Sequence, residues 1–269
     1  MRASRPRARS IRVFAVAALV LLLAGGARAE TTNALSKAEI EGRELARQLC
    51  EARPAENFTN TGVLKRREAN GIRTNLPVKF EIIATETNWQ SIYTAIFSDT
   101  ATCKLFDTIK VVHFAGRKNQ YEQGQLVDCK NDGGHGPRGY GSGALSAEQS
   151  MTPFAGSDFW VADLGLEFFH WPAQKVLKKE VKRSRGCTVL ESTNPSPATN
   201  GYSRVVSWID RESGGIVQAE AYDFKNKLLK EFEPKSFKKV AGQWQLQEME
   251  IRNVQTGSRT RLEFDLGAE

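Results

Sequence analysis

The apolar positions of this chain change their period at Pro54. Ahead of it, Ala38, Leu45, Leu49 and Ala52 share one face at about 100° per residue, the spacing of an amphipathic helix. Ser36-Lys37-Ala38-Glu39 has the form of a capping box, in which the Ser and Glu side chains each satisfy a backbone N–H of the first turn. Leu35 and Ile40 flank it as a hydrophobic staple. A helix over roughly 37–52 is predicted, ended by Pro54.

Beyond Phe58 the period falls to two. Val78, Phe80 and Ile82 alternate with Lys79 and Glu81. Trp89, Ser91, Tyr93, Ala95 and Phe97 form one face of a strand. Its other face, Gln90, Ile92, Thr94 and Ile96, is also partly apolar, so cover is expected on both sides. Ile109–Phe114 and Gln120–Val127 read as a hairpin around Gly116-Arg117-Lys118-Asn119. Gly133–Gly143, with six glycines in eleven residues, is expected to be a long loop. Within it, Gly134-His135-Gly136-Pro137-Arg138-Gly139 matches the dinucleotide fingerprint in letters only. That fingerprint must join a strand to a helix in a βαβ unit, and the chain downstream does not alternate in that way.

Residues 144–172 are expected to form a helical or irregular insertion dense in aromatics: Phe154, Phe159, Trp160, Phe168, Phe169 and Trp171. Lys175–Arg185 carries six basic residues and one acid, which fits a solvated face or a surface for anionic lipid. The remainder is strand-like at Val205–Ile209, Ile216–Tyr222, Leu228–Phe232, Phe237–Val240, Trp244–Ile251 and Thr260–Phe264. Turn signals separate these runs, among them Ser213-Gly214-Gly215, Glu233-Pro234 and Ala241-Gly242. Such short connections leave no room for helical crossovers, so sequential strands must pair antiparallel. The predicted fold is mainly β within an α+β class. A large curved antiparallel sheet forms an unclosed half-barrel, with the N-terminal helix and the insertion as its lid.

Composition changes this picture at the N-terminus. The net charge of +7 points to nucleic acid, but Arg2, Arg5, Arg7, Arg9, Arg12 and Arg28 lie in the first 29 residues, which hold no acid. Without them the remaining 240 residues carry +1, so no nucleic-acid partner is expected. The same segment has an apolar core from Val13 to Ala24 and then Ala27-Arg28-Ala29, the plan of a secretory signal peptide cleaved after Ala29. Residues 1–29 are therefore read as the signal peptide and 30–269 as a single domain exported to the periplasm, soluble after cleavage. Four cysteines in an exported chain favour disulfides, with three connectivities available to Cys50, Cys103, Cys129 and Cys187. If Gly116 centres its hairpin, facing positions sum to about 232, which pairs Cys103 with Cys129.

Little in the chain points to catalysis. His113, His135 and His170 are far apart in sequence, and H-E-x-x-H, G-x-S-x-G and the P-loop are absent. Cys129 and His135 are too few for a metal site. No cofactor is expected.

An ordered set of motifs carries a resemblance. Gly156-Ser157-Asp158-Phe159 with Asp163-Leu164 is followed by Cys187-Thr188-Val189-Leu190-Glu191 and then by Ser207-Trp208-Ile209-Asp210. Next come Ala221-Tyr222-Asp223-Phe224-Lys225-Asn226-Lys227-Leu228-Leu229-Lys230 and Val240-Ala241-Gly242-Gln243-Trp244. Over about residues 150–266 the succession resembles the LolA-like outer-membrane lipoprotein-sorting family, in a divergent bacterial branch. The resemblance implies an unclosed β-barrel lidded by helices that encloses a cavity for acyl chains and performs no catalysis; the partners expected are acyl chains of a lipid or lipoprotein and a transient membrane or acceptor-protein contact. A lipid-sensing or protein-binding envelope module on the same fold is the alternative. The chain departs from the family's short carrier in its length, its cysteines and its glycine-rich segment. Trp89, Tyr93, Phe97, Phe159, Trp160, Trp208, Tyr222 and Trp244 are the residues expected to line the cavity.

Overall fold

The computed structural model describes residues 35–98, 103–129, 138–146, 148–240 and 243–266, with backbone alone for 98, 138–142, 243 and 244. The expected signal segment and its cleavage site lie outside these residues, as do 130–137 with His135. Helix α1 (Lys37–Glu51) opens with the expected box: the Ser36 hydroxyl accepts from the Glu39 N–H, and Glu39 accepts from the Ser36 N–H at 2.8 Å.

Six strands follow: β1 (Phe58–Arg67), β2 (Arg73–Ala84), β3 (Asn88–Ser98), β4 (Cys103–Phe114), β5 (Gln120–Cys129) and β6 (Arg138–Leu145). The aromatic insertion comes next, made of short 3-10 turns and one four-residue helix, α2 (Val161–Leu164). Seven more strands follow among the described residues: β7 (Ala173–Lys182), β8 (Arg185–Thr193), β9 (Tyr202–Asp210), β10 (Ile216–Asp223), β11 (Leu228–Val240), β12 (Gln243–Asn253) and β13 (Arg259–Phe264). All thirteen belong to one antiparallel sheet, two meanders joined where β1 pairs with β13. Strands β6 and β7 are its two edges, so the sheet is not closed into a barrel.

The hairpin β4–β5 has the expected register, with Val112 opposite Gln120 and Cys103 opposite Cys129, and those cysteines form a disulfide. Even count did not extend the pairing: Cys50 on α1 and Cys187 on β8 are free thiols in different parts of the fold. Two other expectations are corrected. Residues 138–143 are not loop but belong to β6, because glycines in an edge strand can still complete a ladder with β5. Glu233-Pro234 does not end a strand. It lies inside β11, at irregularities in its pairing with β12 that absorb the N–H missing from proline.

The insertion packs as core. Phe154, Phe159, Val161 and Leu164 are buried with Leu64, Ile109, Val111, Ile251 and Leu262 of the sheet. Ala162, Phe168, Phe169 and Trp171 are buried with Leu190, Tyr202, Val205 and Ile209. Both halves of the sheet thus curl onto one segment. Helix α1 lies against β7 through Gly42 and Ala46. A Cβ placed on Gly42 would stand 2.6 Å from the backbone nitrogen of Lys175, so only glycine permits this approach.

Candidate ligand cavity

The half-barrel holds a cavity of about 1060 Å³. That is just above the ~300–1,000 Å³ of typical ligand sites. Strands β2 and β3 supply Phe80, Ile82, Trp89 and Tyr93; β11 and β12 supply Phe232, Phe237 and Leu246. The insertion contributes Leu164, Leu166 and Phe169, and the end of α1 adds Leu49 and Cys50. Period-two alternation explains the walls, since every second residue of each strand faces inward. A further pocket of about 190 Å³ shares Tyr93, Leu164, Leu166, Ile216 and Phe232 with it and runs deeper, to Phe159, Phe168, Val205 and Met249.

The deep pocket has one polar end. Lys230 is 1% exposed, yet its ammonium donates to the Asp158 carbonyl at 2.6 Å and lies 3.6 Å from an Asp163 carboxylate oxygen. It also stands 3.6 Å over the Trp160 ring. The Tyr202 hydroxyl donates to Asp163 at 3.0 Å, and the Trp160 backbone N–H does so at 2.7 Å. Burial outweighs the pairing: it pulls Lys230 down to about 8 and raises Asp163 above the usual carboxylate range. This network anchors the insertion to β9 and β11.

A second anchor ties the insertion to the opposite wall. Tyr93 donates to the Leu164 carbonyl at 3.2 Å, Asn119 to the Gly165 carbonyl at 2.7 Å, and Tyr121 to Glu167 at 3.0 Å. Any side chain on Gly165 would meet the Tyr121 hydroxyl, 2.3 Å from where a Cβ would stand. In the wall beside it, His113 stacks on Trp89 at 3.5 Å and lies 3.2 Å from the Ser91 hydroxyl. Burial lowers His113 to about 4, so the ring is neutral at pH 7. The Cys50 thiol is pushed up to about 12 by burial and stays protonated. Among the described residues no group of three or more His, Cys, Asp or Glu is placed to hold a metal.

Of the residues expected at the cavity, Trp89 and Tyr93 line its main chamber, and Phe159 lines the deep pocket. Trp160 stacks on Tyr202 at 4.5 Å beside the polar end. Phe97 packs against the core around Ile109. Trp208 and Tyr222 are corrected: they stand on the other face of the sheet with Cys187, Val189 and Val206. On β9, Trp208 is out of phase with the inward Val205 and Ile209, an alternation visible in the sequence. Trp244 is described by its backbone alone, opposite Lys239 in β12. Sequence reasoning missed Leu166, Phe169, Phe237 and Lys230. The first two lie in irregular backbone and Phe237 beyond an unforeseen irregularity of β11. Lys230 gave no signal because a lysine is rarely buried.

The fold and its cavity define an open β half-barrel that its own insertion fills only in part. Comparison with known proteins places that architecture. A domain from Vibrio parahaemolyticus described as outer membrane lipoprotein-sorting is similar at TM-score 0.61 and 21% identity, over 86% of this chain and 95% of that one. A DUF1329 family protein from Desulfovibrio piger is similar at TM-score 0.61 and 16% identity, over 87% and 96%. A LolA superfamily protein from Nitrosomonas europaea is similar at TM-score 0.52 and 14% identity, over 86% and 92%. Residues 143–266 also match a family model described only as an uncharacterized protein family. No curated protein matches the sequence. The chain has the LolA-like fold.

Proposed function

We propose that this protein is a non-catalytic periplasmic carrier that holds acyl chains of a lipid or lipoprotein inside the half-barrel. The observation that carries the reading is the cavity of about 1060 Å³ walled by Phe80, Ile82, Trp89, Leu166, Phe232 and Phe237. Moving an acyl chain through water costs about 0.8 kcal/mol per exposed CH₂, on the order of 10 kcal/mol for a long chain. A walled apolar chamber removes that cost without chemistry. The LolA-like fold supports the same reading, as does the secretory pattern of residues 1–29. Among the described residues no helix is long and apolar enough to cross a membrane.

Native mass spectrometry of protein purified from the envelope without detergent tests the proposal. Expected is a chain beginning at Glu30 that carries a bound lipid mass. A stable complex with another protein and no lipid would favour the sensing module instead.

A further inference from the structure

We propose that the cavity mouth docks on an anionic membrane surface; this rests on the carrier reading and names where the cargo enters and leaves. In the antiparallel sheet the turns β2–β3, β4–β5, β7–β8, β9–β10 and β11–β12 lie at one end. The main chamber reaches that end, where Arg183, Arg185, Ser213, Gly214, Phe237 and Leu246 line it.

Two apolar side chains stand uncovered at this rim. Val181, opposite Gly186 in the β7–β8 hairpin, is 73% exposed, and Phe237 on β11 is 55% exposed. Each has a lysine two residues away on the same strand: Lys179 beside Val181 and Lys239 beside Phe237, both exposed. The period of a strand places each pair on one face. The surrounding turns and strand ends add Arg53, Arg117, Lys118, Lys182 and Arg211, against Glu56, Glu86 and Glu212.

Some rim cations are engaged. Arg183 pairs with Glu233 and donates to the Pro234 carbonyl, while Arg185 lies 3.7 Å from Asp210 and 3.6 Å from Glu212. Lys182 lies over the Trp208 ring and Arg117 over Phe114. Lys179 and Lys239 therefore flank the two uncovered apolar side chains most directly. Apolar tips flanked by lysines fit the interface of a bilayer that carries anionic headgroups, where the tips enter and the cations meet phosphate. Docking in this orientation sets the apolar chamber against the acyl region, so a chain passes between the two without crossing water.

Vesicle co-sedimentation of the full mature chain tests the proposal. It compares vesicles of phosphatidylcholine with vesicles of equal parts phosphatidylcholine and phosphatidylglycerol, at low and high salt. Binding is expected to the anionic vesicles only and to weaken with salt. Lys179→Gln is expected to lower it about fivefold, and adding Val181→Asp to lower it further. Lys225→Gln with Lys227→Gln, in the β10–β11 turn at the other end, is the control and should leave binding within twofold. Titration with a fluorescent fatty-acyl probe is run on each variant and should stay saturable, which shows the fold and chamber intact. Saturable probe binding with no vesicle binding, with binding indifferent to lipid charge, or with the control pair weakening it equally would overturn the docking surface alone. Loss of probe binding by the unmutated chain would instead remove the carrier reading.

Discussion

Tyr121 on β5 and Tyr202 on β9 donate hydrogen bonds, each at 3.0 Å, to carboxylates only four residues apart, Glu167 and Asp163. In sheet order the two strands are separated by nine intervals. Laid flat, that is about 43 Å at the usual strand spacing. Four residues of chain span at most about 14 Å. The sheet can satisfy both bonds only by curling round the insertion, so these two tyrosines fasten opposite walls to one plug.

Removing either hydroxyl should therefore loosen the fold. Tyr121→Phe and Tyr202→Phe are each expected to cost about 1–3 kcal/mol, the usual result of leaving a buried polar group short of a partner. Tyr121→Phe should cost more, because Asp163 keeps the Trp160 N–H and Lys230, whereas Tyr121 is the hydroxyl donor to Glu167. Urea unfolding followed by tryptophan fluorescence measures both. An effect below about 0.5 kcal/mol in both variants would contradict the fastening role.

The strand periods along Trp89–Phe97 and Val205–Ile209 were enough to read an antiparallel sheet from the residues, and the symmetric spacing about Gly116 was enough to pair Cys103 with Cys129. What could not be read has a physical cause. Strand β6 has glycine at every second position from 139 to 143, so one of its faces carries no side chain and no apolar alternation marks it as a strand. The β1–β13 seam joins residues such as Leu64 and Leu262, nearly two hundred positions apart, and no local pattern announces a contact of that range. The insertion's aromatics announced burial, but not that Phe169 would face the chamber while Phe168 faces the deep pocket, since irregular backbone has no period.

Acid should destabilise the protein through His113. Burial holds its folded value at about 4 against an ordinary 6.5, so between those pH values the unfolded chain binds more protons than the folded one. The stability is fully present above about pH 6.5 and is lost as pH falls toward 4, a change of about 3 kcal/mol. His170 is lowered in the same direction. Asp163 and Glu167 are raised and act with the opposite sign, stabilising as pH falls. The difference between the unmutated chain and His113→Gln isolates the histidine. Unfolding free energies from pH 4 to 7 should show a shallower acid loss in the variant, and identical slopes would refute the assignment.

Gly42→Ala tests the seat of α1. Alanine favours a helix by about 1 kcal/mol over glycine, but its Cβ would fall 2.6 Å from the Lys175 nitrogen of β7. Backbone cannot move aside cheaply, so the steric effect should win and the helix should lift from the edge strand. Hydrogen exchange should speed up within 37–51 with the sheet unchanged. Undiminished protection of α1 would show that the close approach is not required.

The Cys103–Cys129 bridge closes a span of 26 residues. In the chain-entropy model such a loop stabilises by about 3.5 kcal/mol. Alkylation of the denatured, unreduced protein should label Cys50 and Cys187 and spare the other two. Reduction or Cys103→Ser with Cys129→Ser should lower the urea midpoint. Label on Cys103 before reduction would contradict the pairing.

The most direct test of the carrier reading is titration of residues 30–269 with a fluorescent fatty-acyl probe, comparing the unmutated chain with Leu166→Asp, Trp89→Ala and Trp208→Ala. Leu166 and Trp89 line the main chamber, whereas Trp208 lies on the opposite face of the sheet. The account predicts one saturable site, weakened at least tenfold by Leu166→Asp, weakened by Trp89→Ala, and left unchanged by Trp208→Ala once all three variants are shown to be folded. Probe binding that never saturates, or that is indifferent to Leu166→Asp, would contradict it.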